Sequence, residues 1–144
     1  MPINKNVLMK KYTFKNNNFM DLELKFLIHS KMISNIDNSF GSKILSNGVL
    51  QYNHNYNICT FSKNKISKYQ LNDVSNNIKT GIIDDKDYIG MSADSAISYD
   101  LGTLKPAESK TIEIMIYPNI NQENEISHVE DVEKVVEQFK KLEF

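Results

Sequence analysis

Two stretches of this chain alternate apolar and polar side chains with a period of two, and this alternation constrains the fold more than any other feature of the sequence. Successive side chains of a β-strand point to opposite faces, so such a stretch is typical of a strand that buries one face. We therefore predict strands at residues 20–28 and 110–117. Their one-face apolar positions are Leu22, Leu24, Phe26 and Ile28 in the first stretch and Ile112, Ile114 and Ile116 in the second.

Shorter strand candidates and turn signals fill the rest of the first 120 residues. The candidates are residues 7–14, 49–52, 58–61, 66–71 and 96–101. The turn signals are Asn16–Asn18, Gly41-Ser42, Asn47-Gly48 as a tight hairpin, and Thr80-Gly81. Pro118 is expected to end the last strand because it has no N–H to donate. Short strands without crossover helices predict an all-β fold, an antiparallel two-sheet β-sandwich.

The composition changes after Pro118. Residues 1–120 carry 14 lysines and 11 acidic residues, net +3, whereas residues 121–144 carry three lysines and seven acidic residues, net −4. We predict a β-sandwich domain over 1–120 and a C-terminal amphipathic helix over 121–144. This helix either covers an edge or face of the sandwich or links it to another domain. Its apolar stripe is Ile126, Val129, Val132, Val136 and Phe139.

Charge and cysteine content bear on partners and compartment. All 17 basic residues are lysines, and 18 acidic residues leave a formal net charge of −1, so no basic excess favours nucleic acid as a partner. No stretch has the roughly 18 apolar residues that a membrane span needs, so we expect no membrane partner. The single Cys59 cannot form an internal disulfide. We therefore expect a cytoplasmic protein.

The residues that carry most enzyme chemistry are few and scattered. Ser92 follows a glycine by two positions, but the second glycine of a nucleophile elbow is missing. The three histidines, His29, His54 and His128, have no metal-ligand spacing. Asp85, Asp87 and Asp94 are the only clustered candidates for a pair of carboxylates that hydrolyses glycosides. We predict no catalytic residue, no metal site and no cofactor.

The segment from Tyr52 to Tyr56 is the most suggestive polar cluster. Its sequence is Tyr52, Asn53, His54, Asn55 and Tyr56. Aromatic faces and amide groups are suited to stacking on sugar rings and hydrogen-bonding to them, so these five residues are our candidate contact with carbohydrate or with a neighbouring domain. The alternative, which we weight more heavily, is a strand end in which the tyrosines cover the sandwich and the asparagines form the turn.

Five segments together resemble a known family. They are Tyr52–Tyr56, Thr60–Lys63, Tyr69–Asp73, Asp85–Gly102 and Leu104–Lys110. They look like the N-terminal β-domain of clostridial glucoamylase-like glycoside hydrolases of family 15. The resemblance implies a β-supersandwich similar to galactose mutarotase, followed by a linker helix and an (α/α)6 barrel with two catalytic glutamates. Residues 122–143 would match the linker helix, and Ala107 stands where the family usually has glycine.

Because this chain has no counterpart of the barrel, the resemblance carries no catalytic residue over to it. The implied function is a non-catalytic β-sandwich domain of a glycoside hydrolase, possessing no activity by itself, whose partner is the parent enzyme's barrel. The alternative is a free-standing module that binds saccharide or forms a homo-oligomer through a sheet edge. A sandwich without the family's opening strands would expose unpaired backbone groups, which pairing with a second copy would satisfy.

Overall fold

The computed structural model describes residues 7–34, 39–72, 74–83 and 89–120, together with Lys134, Glu137 and Lys141. This part of the chain is built mainly of β-strands, with one short α-helix. The strands are β1 (Leu8–Lys15), β2 (Leu22–Lys31), β3 (Gly41–Ile44), β4 (Gly48–Tyr52), β5 (Tyr56–Ser62), β6 (Lys68–Leu71), β7 (Ile89–Gly90), β8 (Asp94–Leu104) and β9 (Ser109–Ile120). The helix α1 (Val74–Asn77) continues into a 3-10 turn at Ile78–Thr80.

The strands form two antiparallel sheets, which confirms the predicted all-β two-sheet sandwich. The larger sheet has six strands in the order β1-β9-β5-β4-β3-β7, and the smaller sheet has three in the order β2-β8-β6. Consecutive strands change sheets six times, and the short turns between β1 and β2 and between β8 and β9 are two of these crossings. The long strands β8 and β9 lie inside their sheets, and β1 and β2 lie at the edges.

The main core lies between the two sheets. Ile112 and Ile114 of β9 face this core, as their alternation predicts, and Ile116 packs partly buried against it. Phe26 and Ile28 of β2 also pack against it, whereas Leu22 at the start of that strand is 39% exposed. The buried members of this cluster are Ile44, Val49, Leu71, Ile97, Tyr99, Ile112 and Ile114.

Each sheet also buries side chains on its outer face. On the small sheet, Ala96 packs with Val74 of α1 and with Ile83, so the helical segment covers this face. On the large sheet, a second cluster is at most 2% exposed, and its described apolar neighbours all lie in or beside strands of that same sheet. The members of this outer cluster are Leu50, Cys59, Phe61, Met115 and Tyr117.

Asn16 joins two of the turns at which the chain crosses between the sheets. Its backbone N–H donates to the carbonyl of Glu108, and its own carbonyl accepts from the N–H of Ala107. Its buried side-chain amide donates to the carbonyls of Met20 at 2.7 Å and Leu104 at 2.8 Å. Asn16 thus ties the β1–β2 turn to the β8–β9 turn at one end of the sandwich.

Some details differ from the sequence prediction. Gly41-Ser42 was expected to form a turn between strands, but it begins β3. Gly41 leaves room there for the Tyr52 ring. Pro118 does not end β9, which continues to Ile120. Beyond Ile116, the described pairing of β9 is only with β5, and a residue without an N–H is tolerated where one side of the strand lacks a partner.

The hairpin at Asn47-Gly48 forms, but for a different reason from the predicted one. Neither residue has a positive φ. Instead, a Cβ on Gly48 would lie 2.2 Å from the Thr60 carbonyl oxygen, so β4 and β5 approach too closely there for any side chain. Asn47 donates its side-chain amide to the Ser62 carbonyl at 2.6 Å, which holds the hairpin against β5.

The predicted C-terminal helix, and with it the apolar stripe from Ile126 to Phe139, lies outside the described residues apart from Lys134, Glu137 and Lys141. It stays a prediction. The acidic positions Asp85 and Asp87 also lie outside the described residues.

Candidate functional site

The candidate segment Tyr52–Tyr56 forms the turn between β4 and β5. Asn53 is only 5% exposed, and its side-chain oxygen accepts hydrogen bonds from the backbone N–H groups of Asn55 and Tyr56, each at 2.9 Å. The Asn53 N–H in turn donates to the Tyr56 carbonyl at 3.0 Å. This side chain therefore builds the turn, as asparagine commonly does.

Both tyrosines of this segment are half-buried and contact other strands or loops. The Tyr52 ring lies over Gly41 so closely that a Cβ there would be 2.6 Å from its ring carbon Cζ. The Tyr56 ring packs against Phe40, with ring centroids 6.2 Å apart and planes tilted by 60°. These contacts reduce the aromatic surface that is left for stacking on a sugar.

The tip of the turn is formed by His54 and Asn55, which are both exposed. They carry the groups of this segment that are most accessible to an external ligand. An imidazole and an amide can donate and accept hydrogen bonds, but they sit beside half-buried rather than open aromatic faces. The accessible groups of this segment therefore form a small polar contact surface.

Ser92 forms hydrogen bonds with residues that precede it and follow it in the chain. Its hydroxyl donates to the Asp94 carbonyl at 2.6 Å and accepts from the N–H groups of Asn72 and Asp94, each at 3.2 Å. The Ser92 carbonyl accepts from the hydroxyl of Ser42 at 2.7 Å. Because it is 5% exposed and already engaged in three hydrogen bonds, this hydroxyl acts as a structural group.

Asp94 is the one described member of the carboxylate cluster Asp85, Asp87 and Asp94. It contacts His29 across β2 and β8, with Nε2 and Oδ1 3.2 Å apart, and both side chains are partly exposed. Within the described ranges, no group of three His, Cys, Asp or Glu side chains is arranged to hold a metal ion. The pair is an exposed cross-strand contact of a kind that adds little to stability.

Cys59 and Tyr99 are buried titratable groups of the two clusters. Burial raises the pKa of the Cys59 thiol far above its usual value, so its reactive thiolate form is suppressed. Burial also raises the pKa of Tyr99, whose hydroxyl donates to the Asn47 carbonyl at 2.8 Å. Both side chains are framework groups.

The exposure of β1 was not predicted from the sequence. Seven of its eight residues are exposed, including Leu8, Met9 and Tyr12, whose exposed fractions are 50%, 42% and 37%. The signal lay in the sequence of this strand, which places three lysines among the apolar residues, a mixture typical of edge strands.

Comparison of the chain with protein-family models finds no match, and comparison with curated proteins finds none either. The resemblance to the glucoamylase-like β-domain therefore rests on the sequence motifs alone. Among the described residues, no helix has both the length and the apolar character required to cross a lipid bilayer.

Proposed function

We propose that this chain is a non-catalytic β-sandwich domain of a glucoamylase-like glycoside hydrolase of family 15, acting as a scaffold for the catalytic barrel of the parent enzyme in the cytoplasm. The scaffold role is supported by one observation: the polar and aromatic side chains that could form a binding site make contacts within the fold instead. The Ser92 hydroxyl and the Asn53 amide hold turns, and the rings of Tyr52 and Tyr56 pack against neighbouring segments. The enzyme family itself is supported only by the motif resemblance.

An assay of the purified chain on maltose, isomaltose and dextrin at high protein concentration tests the absence of catalysis. We expect no release of glucose above the buffer blank. Turnover that is lost in the variants Asp85→Asn, Asp87→Asn or Asp94→Asn would contradict the proposal, because hydrolysis of glycosides requires paired carboxylates. Turnover that all three variants keep would point to other residues and would contradict it equally.

The turn at Tyr52–Tyr56 is the surface through which such a domain would contact saccharide or the barrel. Its accessible groups are those of His54 and Asn55. Titration of the chain with maltooligosaccharides, followed by amide chemical shifts, separates these two partners. Shifts at His54 and Asn55 that disappear in the His54→Ala and Asn55→Ala variants would assign the turn to sugar, whereas unchanged shifts would leave only the interdomain contact.

A free-standing, self-associating module is the second candidate, and the exposure of β1 favours it. Among the described strands, β1 pairs only with β9, and a long strand at the edge of a sheet can accept another strand on its other side. Multi-angle light scattering across a range of protein concentrations tests this candidate. A species that remains monomeric at every concentration would remove it.

A further inference from the structure

In the part of the chain that the structure describes, the two sheets end in long strands on the same side of the sandwich. Within the described residues, β1 pairs only with β9 and β2 only with β8. The Tyr12 and Phe14 rings of β1 lie 5.2 and 5.8 Å from the Phe26 ring of β2, so the two edge strands are neighbours across the core. We call β1 and β2 together the double edge.

The opposite side of the sandwich is much less open. There the sheets end in β7 and β6, which have two and four residues, whereas β1 and β2 have eight and ten. Very short edge strands are a common protection against pairing with other chains. The double edge is thus the one with long strands.

From this arrangement we propose that the double edge is the interface of a symmetric dimer, in which β1 of each subunit pairs with β2 of the other. This inference rests on the second candidate function, self-association, and specifies its surface. A single added peptide strand could satisfy only one of the two edges. A second copy presents two strands at the spacing of two packed sheets, so it satisfies both edges at once.

Charge selects this pairing over β1 against β1. The strand β1 carries Lys10, Lys11 and Lys15 and no acidic residue, net +3. The strand β2 carries two lysines and one glutamate, and its neighbour β8 carries two aspartates and no lysine, so together they have a net charge of −1. Pairing β1 with itself would place a strand of net +3 against another of net +3. The strand β2 by itself is only net +1, and it carries a glutamate, Glu23, that a lysine of β1 can meet.

Symmetry fixes which ends of the strands meet. A two-fold axis parallel to the strands places the small sheet of one subunit beside the large sheet of the other. The rotation does not change the position of any residue along the strand direction. Lys15 and Leu22 flank the turn between β1 and β2, so Lys15 comes to the same end as Glu23 of the partner subunit. Each six-stranded sheet then continues into the partner's three-stranded sheet.

The size of the double edge indicates a reversible dimer. Eight paired residues at about 3.3 Å each and a sandwich about 20 Å deep give an edge of roughly 500 Å² per subunit. The total, about 1,000 Å², lies at the lower limit of specific interfaces. Apolar side chains at this edge, including Leu8, Tyr12 and Leu22, are at least 37% exposed and would become buried.

The test is sedimentation equilibrium of the full chain and of charge-exchanged variants. We expect a concentration-dependent dimer whose Kd rises roughly tenfold in Lys15→Glu and in Glu23→Lys, since each change places like charges at that contact. The double variant should return to within about threefold of the original Kd. An equimolar mixture of the two single variants should form heterodimers, because each contact then joins a lysine to a glutamate. Lys65→Glu, an exposed change in the loop after β5, is the matched control and should leave the Kd unchanged.

Circular dichroism of each variant verifies that the fold is kept. A dimer whose Kd is unchanged in Lys15→Glu and in Glu23→Lys would overturn the assignment of the interface while leaving self-association intact. A dimer that is weakened by both single changes but not restored in the double variant would overturn the β1–β2 pairing. A monomer at all concentrations would overturn both the interface and the second candidate function.

Discussion

At the scale of single residues, buried asparagines connect the turns of this sandwich. Asn16 joins the β1–β2 and β8–β9 turns, Asn47 holds the β3–β4 hairpin against β5, and Asn53 closes the β4–β5 turn. The sequence prediction placed asparagines in turns, as their local hydrogen bonding favours. It could not foresee that Asn16 reaches Leu104, which is 88 positions away, because only the assembled sheets bring them together.

Replacing Asn16 with alanine should destabilise the protein by about 2–4 kcal/mol, because buried carbonyls of the two crossings lose their donors. Urea denaturation of the variant measures this loss. Asn17→Ala, an exposed change in the same turn, is the control and should stay within about 0.5 kcal/mol of the original. Equal stability of the two variants would show that Asn16 does not join the crossings.

Replacing Ala107 with glycine should stabilise the protein by about 0.5–1 kcal/mol. Ala107 has a φ of +65° in the turn that the Glu108 N–H and Lys105 carbonyl close, and a left-handed alanine costs more than the chain entropy of glycine. Thermal unfolding measures the gain. Ala93→Gly, at a position without positive φ, should give no gain, and a loss of stability in Ala107→Gly would contradict this backbone geometry.

Cys59 makes stability sensitive to alkaline pH. Its pKa is raised in the folded state, so the folded chain keeps a proton that the unfolded chain releases above about pH 8.5. The stabilisation is complete below that pH and should fall by about 2 kcal/mol as the pH rises from about 8 to about 10. Unfolding free energies of the original and of Cys59→Ala should converge over this interval. Parallel curves would show that the thiol titrates normally.

At the scale of elements, the period-two pattern predicted the long strands better than the short ones. Ile112 and Ile114 face the inter-sheet core as expected, since alternation directly reflects which face is buried. The strand β3 was missed because Gly41 and Ser42 are turn formers by propensity, yet the Tyr52 ring requires a glycine at that point. Tertiary contacts decide such short strands, and a local pattern does not contain them.

Because β4 and β5 approach closely at Gly48, we predict that alanine substitution at two glycines has very different effects on stability. Gly48→Ala should destabilise the protein by about 3 kcal/mol or more, because its Cβ would meet the Thr60 carbonyl oxygen and the Phe61 side chain. Gly90→Ala is the matched control in β7, where a Cβ meets no atom within 4 Å, and it should be nearly neutral. Chemical denaturation compares them. A tolerated Gly48→Ala would contradict the β4–β5 register.

At the scale of the whole molecule, the sequence predicted two antiparallel layers but not which strands lie at their edges. Strand order depends on pairings such as β1 with β9, which join residues about 100 positions apart. The same limit applies to the candidate site, because the pattern from Tyr52 to Tyr56 did not reveal that both rings pack against neighbouring segments. The function proposed for this scaffold depends on that layered arrangement.

Amide hydrogen exchange, read residue by residue by NMR, tests the arrangement most directly. With β8 and β9 inside the sheets, their amides should exchange slowest, whereas amides on the open sides of β1 and β2 should exchange rapidly in dilute solution. If the dimer forms, those edge amides should gain protection as the protein concentration rises. Fast exchange along β8 or β9, or uniform protection along β1 in the monomer, would contradict the two-sheet order described here.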